Sequence, residues 1–192
     1  MENLSPKYIK KKKLILEALK RLLSNNVYSN ISFDDVAEEA KMSKGGIRHY
    51  FPTKESLFID LIELFFNEIE KDQIIIIKEA SLSKDRALLS TMYGFENFLL
   101  RSENIKIFIN IMLYSFEEPK IKDIARLFLR KHLELLKDIY KDISVEQINN
   151  LELDVVSRYT QIILLTMGLF QIIDPIEIDV PTLINKILKL IN

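Results

Sequence analysis

Apolar residues recur along this chain at i, i+3, i+4 spacing, and strand-like alternation is absent over any useful length. The pattern predicts an all-α protein of about nine helices. A first helix opens at Ser5-Pro6, a cap residue followed by proline at the first helical position, where its missing N–H costs nothing. Its inward stripe is Ile15, Leu19, Leu22 and Leu23, and it ends near Asn25-Asn26. A second helix opens at Ser32, with Asp35 three residues on as in a capping box, and turns Val36, Ala37 and Ala40 inward. After a short turn at Lys41-Met42, Ser43 caps a third helix of about Lys44 to His49, which Phe51-Pro52 ends. Thr53 caps a long fourth helix with Leu57, Leu61, Leu64, Phe65 and Ile69 on one side.

Farther on, Ser83 caps a helix to about Arg101, a shorter one runs from about Asn104 to Tyr114, and Pro119 starts another ending around Lys141. Ser144-Val145-Glu146-Gln147 is read as the capping box of a long helix reaching Ile173. Asp174-Pro175 stops it, and a last helix spans about Pro181 to Ile191.

Composition narrows the class. Of 192 residues 48% are hydrophobic, enough for a substantial core without staples. There is no cysteine, which removes disulfides, thiolate zinc sites and thiol nucleophiles, and suits a cytoplasmic location. The residues from Met1 to Pro6 have no apolar stretch behind them, so no signal peptide is expected. The strongest apolar run, Ile162 to Ile173, is shorter than the roughly 20 residues of a spanning helix, and Thr166 and Gln171 interrupt it. No membrane partner is expected.

Net charge is −1, but its distribution is uneven. Residues 1–54 hold 11 Lys/Arg against 6 Asp/Glu, and the remainder is acidic. A basic N-terminal module on an acidic body is the footprint of a protein that meets phosphates at one end. Lys10 to Lys13 contribute most of it, and they serve equally well as a solvated helix start.

The stretch Ser32 to Phe58 carries the chemistry. A helix of about eight residues, a turn and a short capped helix make a helix-turn-helix, whose second helix enters the major groove. Gly45 and Gly46 lie inside that short helix, where each costs about 1 kcal/mol relative to alanine. Bare backbone permits close approach to a DNA strand, or equally a helix-helix contact or a frayed loop. Lys44, Arg48 and His49 supply donors, although each lysine or arginine taken singly is also ordinary surface charge. Thr53 and Lys54 begin the fourth helix, whose N-terminus and lysine together suit a phosphate.

The run from Phe33 to Phe58 resembles the signature of the tetracycline-repressor (TetR) family. The matching positions are Val36-Ala37, Ala40, Ser43, Gly45, Ile47, Tyr50-Phe51, Lys54-Glu55 and Leu57, within about residues 10–60. The resemblance implies a DNA face of Ser43, Lys44, Gly45, Gly46, Arg48, His49 and Tyr50, with Thr53 and Lys54 on phosphate, and Ile47 and Phe51 as anchors. It implies domains at 1–53 for DNA binding and 54–192 for ligand sensing and dimerisation. Two departures stand out. The family often has glycine where this chain has Lys41, so a differently built turn is expected, since a left-handed lysine costs about 1 kcal/mol. The family favours tyrosine where this chain has Arg48, which suits a phosphate or a guanine edge.

The resemblance further implies a cavity within the middle helices and a dimer interface on the last two. Leu151, Val155, Ile162, Ile163, Leu165, Met167 and Phe170, then Leu183, Ile187 and Leu190, give the last helices apolar surface for it. Pocket candidates are Phe66, Met92, Phe95, Glu96, Phe108, Met112, Phe116, Tyr159 and Met167, each also a natural core residue. They suit an apolar or amphiphilic effector.

Enzyme readings fail on geometry. His49 and His132 form no H-x-x-x-H metal pair, and no phosphate-cradling glycine loop or nucleophile elbow occurs. Adjacent acids such as Glu117-Glu118 point apart on a helix. Neither cofactor nor metal is expected. The reading is a homodimeric regulator, a repressor by preference, that binds a palindromic double-stranded operator and is released by a small-molecule effector. Its rivals are a helical ligand-binding or scaffold protein with a non-functional DNA head, and an architectural DNA-binding protein without a sensor.

Overall fold

The structure, a computed structural model, describes residues 5–79, 89–90, 92–94, 101–143 and 149–175, with 179, 182, 186 and 189. It is all-α, and the described residues include no strand. Among them seven helices have defined bounds: α1 Pro6–Leu23, α2 Phe33–Glu39, α3 Lys44–Tyr50, α4 Lys54–Glu79, α5 Ser102–Tyr114, α6 Pro119–Ile143 and α7 Asn150–Ile173. A 3-10 turn at Tyr28–Asn30 joins α1 to α2; at three residues it is too short to leave a periodic trace in the sequence.

Side-chain caps set the helix starts. Ser5 accepts from the Tyr8 N–H at 3.3 Å, with Pro6 next in line. At α2 the exchange is reciprocal: Asp35 N–H donates to Ser32 Oγ at 3.2 Å, and Ser32 N–H to Asp35 Oδ2 at 2.6 Å. Ser43 Oγ accepts from Gly46 N–H at 3.1 Å. Thr53 and Ser56 make a second reciprocal pair at α4, at 3.0 and 3.3 Å. Each such cap is worth about 1 kcal/mol.

The α2 cap carries a pH dependence. The Ser32 backbone N–H, then its hydroxyl, hold the Asp35 carboxyl below the usual carboxylate range. A carboxyl depressed in the folded state contributes stability above its unfolded value, about 3.9, and that contribution is lost as pH falls through the folded value. Asp35→Asn is therefore expected to lower the urea midpoint at pH 6, with the gap to wild type closing towards pH 2. A gap of constant size would show that the carboxylate charge plays no part.

α2 ends in a Schellman turn: Met42 N–H reaches the Ala37 carbonyl at 2.9 Å and Lys41 N–H the Glu38 carbonyl at 3.1 Å. The motif needs a left-handed residue between them, and Lys41 has φ 54°. The expectation of a differently built turn is thereby corrected. Two otherwise orphaned carbonyls are satisfied, each worth about 0.5–1.5 kcal/mol, which offsets the lysine's strain.

α7 also starts elsewhere than expected. Asn149 is extended and forms the capping box with Glu152, through Glu152 N–H to Asn149 Oδ1 at 3.0 Å and Asn149 N–H to Glu152 Oε2 at 3.4 Å. The helix that ends at Ile173 thus begins after Asn149 rather than at Ser144, and residues 144–148 lie outside the described set. Two segments obey the same capping rule, and the later one starts this helix. The expected starts at Ser83 and Pro181 likewise fall outside the described residues.

The chain divides into two compact units: Met1–Phe66 with Lys106–Ile124, and Asn67–Ile105 with Ala125–Asn192. In the first, Ile15, Leu19, Leu23, Val36, Ile47, Phe51 and Leu57 are buried. Part of α5 is tied into this unit by polar bonds: Lys106 Nζ donates to the Ser24 carbonyl at 2.7 Å, and Tyr28 N–H to Asn110 Oδ1 at 2.8 Å. Tyr28 stacks on Phe58 at 3.9 Å, and Tyr114 meets both rings edge-on. In the second unit, Leu136, Ile139 and Tyr140 of α6 cluster with Leu153 of α7. The Tyr140 hydroxyl pairs with Thr160 Oγ1 at 2.5 Å, and burial pushes its pKa up to about 12.

Candidate nucleic-acid interface

α3 is seven residues long and sorted by face. Ile47 and the capping Phe51 are buried, while Ser43, Lys44, Gly45, Arg48 and His49 are exposed and Gly46 and Tyr50 half-buried. α2 packs against both α1 and α3, so the apolar anchors hold the short helix on a rigid base and turn its polar edge outward. Most of the residues expected on the DNA face are thereby brought to one surface.

The two glycines differ. A Cβ at Gly46 would lie 3.2 Å from Ser43 Oγ, the atom that caps the helix. A Cβ at Gly45 would meet none of the described residues within 4 Å. Internal packing therefore does not require glycine at position 45. The bare backbone opens to the outside.

The side chains around it are held by neighbours. Lys44 Nζ pairs with Asp34 Oδ2 at 2.6 Å, both ends being exposed. The Arg48 guanidinium lies 5.6 Å from the centre of the Phe33 ring. His49 and Tyr50 meet edge-on at 5.2 Å, and Tyr8 of α1 approaches both rings, at 6.3 and 4.7 Å. Tyr8 is a positioning residue that the sequence pattern did not single out. Its one signal is an aromatic ring in the otherwise lysine-rich opening of α1.

Thr53 is exposed and caps α4. Lys54 has work inside the chain: its Nζ donates to the Tyr28 carbonyl at 2.6 Å and the Ser29 carbonyl at 3.2 Å, and lies 4.3 Å from the Tyr28 ring centre. The Tyr28 hydroxyl in return donates to the Lys54 carbonyl. Burial lowers the lysine's pKa and the Asp35 charge opposes that shift. Lys54→Ala is expected to cost about 1–2 kcal/mol in a urea titration, as two charge-assisted bonds at a half-buried site are lost. No change would show that water replaces the ammonium freely. Of the lysine run, Lys12 pairs with Asp60 and lies over Phe51 at 5.2 Å, while Lys10 is exposed.

The expected pocket residues are split between the units. Phe66 and Phe108 are buried in the first, with Met112 half-buried and Phe116 87% exposed. Met92 and Tyr159 are exposed in the second, with Met167 half-buried. Phe95 and Glu96 lie outside the described residues. The second unit has a small cavity lined by Gly94, Phe128, Leu129, His132, Gln161, Leu164 and Leu165, none of which the sequence pattern singled out for a pocket. Gln161 could have been found with Ser157 and Thr160, as polar residues that share the buried side of α7 with Leu153 and Leu164. Among the described residues no His, Asp or Glu group is placed to hold a metal.

α7 has a second character. By length and mean hydropathy, 1.3, it could cross a membrane, yet its exposed side mixes Leu151, Val155, Tyr159, Ile162 and Phe170 with Glu152, Asp154 and Arg158. Charges among the apolar side chains suit a protein interface better than hydrocarbon.

A short anchored helix, presented edge-outward after a tight turn on an all-α frame, defines a helix-turn-helix protein. Residues 15–61 match the profile of the family described as bacterial regulatory proteins, tetR family. Over those residues the chain is similar to that family. An uncharacterized HTH-type transcriptional regulator, YuxN of Bacillus subtilis (strain 168), is 29% identical over 136 residues, which cover 68% of this chain and 46% of YuxN. The chain therefore spans about half the length of that relative. Two solved structures share the fold. A protein of Saccharomonospora viridis assigned as a transcriptional regulator, in complex with choline, superposes with TM-score 0.82 at 15% identity, covering 95% of each chain. AibR, in complex with isovaleryl coenzyme A and operator DNA, gives 0.73 at 13% identity, covering 94% of this chain and 97% of its own.

Proposed function

We propose that the protein is a transcriptional regulator that binds a palindromic operator as a homodimer and is released by a small apolar or amphiphilic effector. Repression is its expected mode, in the cytoplasm, where its DNA is. The observation that carries the reading is the outer edge of α3, open at Gly45 and flanked by exposed Lys44, Arg48 and His49. Residues 1–53 then read DNA through Ser43 to Gly46, Arg48, His49 and Tyr50, with Thr53 and Lys54 towards phosphate; residues 54–192 sense and dimerise. AibR, which shares the fold, is known with operator DNA and an acyl coenzyme A, and this supports both partners. The dimer is supported by the exposed apolar stripe of α7, at Leu151, Val155, Tyr159, Ile162, Phe170 and Ile173, whose steps of three, four and eight keep one helical side.

Selection of bound sequences from a random DNA pool tests it. Paired half-sites about 34–36 Å apart and a steep loss of affinity with salt are expected. Absence of binding even at low salt would leave a ligand-binding or scaffold protein, and single unpaired sites would overturn the dimer. In the same assay Arg48→Ala is expected to change the preferred base at one position. A uniform loss across all sites would instead put Arg48 on phosphate.

A further inference from the structure

The second unit holds a polar constellation that the DNA-reading role leaves unused. Its cavity measures about 20 Å³, room for a single water molecule. Among the described lining residues, all but His132 and Gln161 are apolar. Gln161 is 2% exposed, and its neighbours fix its amide. The Leu129 carbonyl can only accept, and takes a bond from Nε2 at 2.8 Å; the Arg158 guanidinium can only donate, and gives one to Oε1 at 2.8 Å. With the amide so oriented, its nitrogen also faces His132 Nδ1 at 3.3 Å. Nδ1 is then the acceptor, so the imidazole carries its proton on Nε2. Burial keeps the ring neutral, with its pKa pushed down to about 4. The Phe128 ring lies nearly parallel to it at 6.4 Å. No acceptor for Nε2–H is found among the described residues. One turn before Gln161, Ser157 is fully buried, and its Oγ also has no hydrogen-bond partner.

We infer that His132 and its apolar wall form the effector site, and that its ligand is an uncharged organic molecule presenting an acceptor oxygen, such as a ketone or an ester. The inference rests on reading the protein as an effector-responsive regulator. The oxygen takes the Nε2–H bond, while Phe128 and the leucines cover the hydrocarbon part. A carboxylate would surrender its hydration to one neutral donor. An ammonium would meet a donor where it needs an acceptor, since no carboxylate is among the described lining residues. Anything larger than water must displace side chains between α6 and α7, and that displacement is the means by which binding is felt outside the cavity.

The chain has two histidines, and His49 is exposed, so ring ¹⁵N spectra of the full-length protein distinguish them. At pH 7 His132 is expected as the neutral Nε2–H tautomer. 4-Methyl-2-pentanone is expected to shift its Nε2–H signal saturably, while isovalerate and tetramethylammonium leave it unmoved. Among the described residues Gly94→Ala adds a methyl that meets only Leu164 Cδ1, at 3.6 Å, an ordinary contact, so the variant is expected to keep the fold and fill the cavity. Ketone affinity is expected to fall at least tenfold in that variant, with the His132 tautomer unchanged. An Nδ1–H tautomer, no ketone shift, or a stronger response to either ion would overturn the proposal. Operator binding by the wild type is measured in parallel. Its presence without a ketone shift overturns this site alone, whereas its absence alongside a ketone shift overturns the regulator reading and leaves the ligand chemistry standing.

Discussion

Replacing Gly45 by leucine is expected to remove specific DNA binding while leaving the protein as stable as before or slightly more so. The two effects separate because the position faces none of the described residues of the chain. A Cβ there has open space around it, so no core atom must move. Glycine in a helix is disfavoured by up to about 1 kcal/mol relative to alanine, and leucine recovers most of that. If the α3 edge meets a duplex, the same side chain stands between backbone and groove, and the bonds that depend on close approach are lost together. A fall in operator affinity of a hundredfold or more is expected, roughly 3 kcal/mol by the tenfold rule of 1.4 kcal/mol. Thermal unfolding followed by circular dichroism, beside a fluorescence-anisotropy titration, reads both quantities. Gly45→Ala should fall between. Unchanged affinity in the leucine variant would remove α3 from the interface.

The second large effect belongs to α7. Val155 and Ile162 are exposed in the single chain and lie two turns apart on one side. Val155→Glu with Ile162→Glu is expected to turn a dimer into a folded monomer. Each copy would otherwise bring two carboxylates into an apolar contact, at a cost of several kcal/mol per buried, unpaired charge. The monomer's helix-turn-helix is intact, so weak binding to one half-site remains. Loss of the second, linked head is expected to lower operator affinity by about 10²–10⁴. Sedimentation equilibrium and the DNA titration check the two halves. A variant that still sediments as a dimer places the interface elsewhere.

Both predictions concern surfaces whose residues were visible in the amino-acid order but whose exposure was not. Gly45 and Gly46 are indistinguishable as letters. Only the position of Ser43 Oγ shows that one crowds the cap and the other faces outward. Lys54 is legible in the sequence as a donor at the start of α4, but its bonds to the carbonyls of Tyr28 and Ser29, across 26 and 25 residues of chain, are not. The Gln161–His132 contact spans 29 residues and escaped notice for the same reason.

What the amino-acid order determined by itself was local. Periodicity marked α1 to α4, and the Ser32–Asp35 exchange marked the start of α2, because caps and turns satisfy backbone groups within about four residues. Tertiary structure decided the rest. It chose Asn149 over Ser144 as the start of the helix ending at Ile173, held Lys41 in a left-handed turn, and buried His132 against Gln161, with no acceptor for its second nitrogen among the described residues. Those outcomes depend on which groups lose water and which distant partner reaches them, and a one-dimensional pattern carries neither.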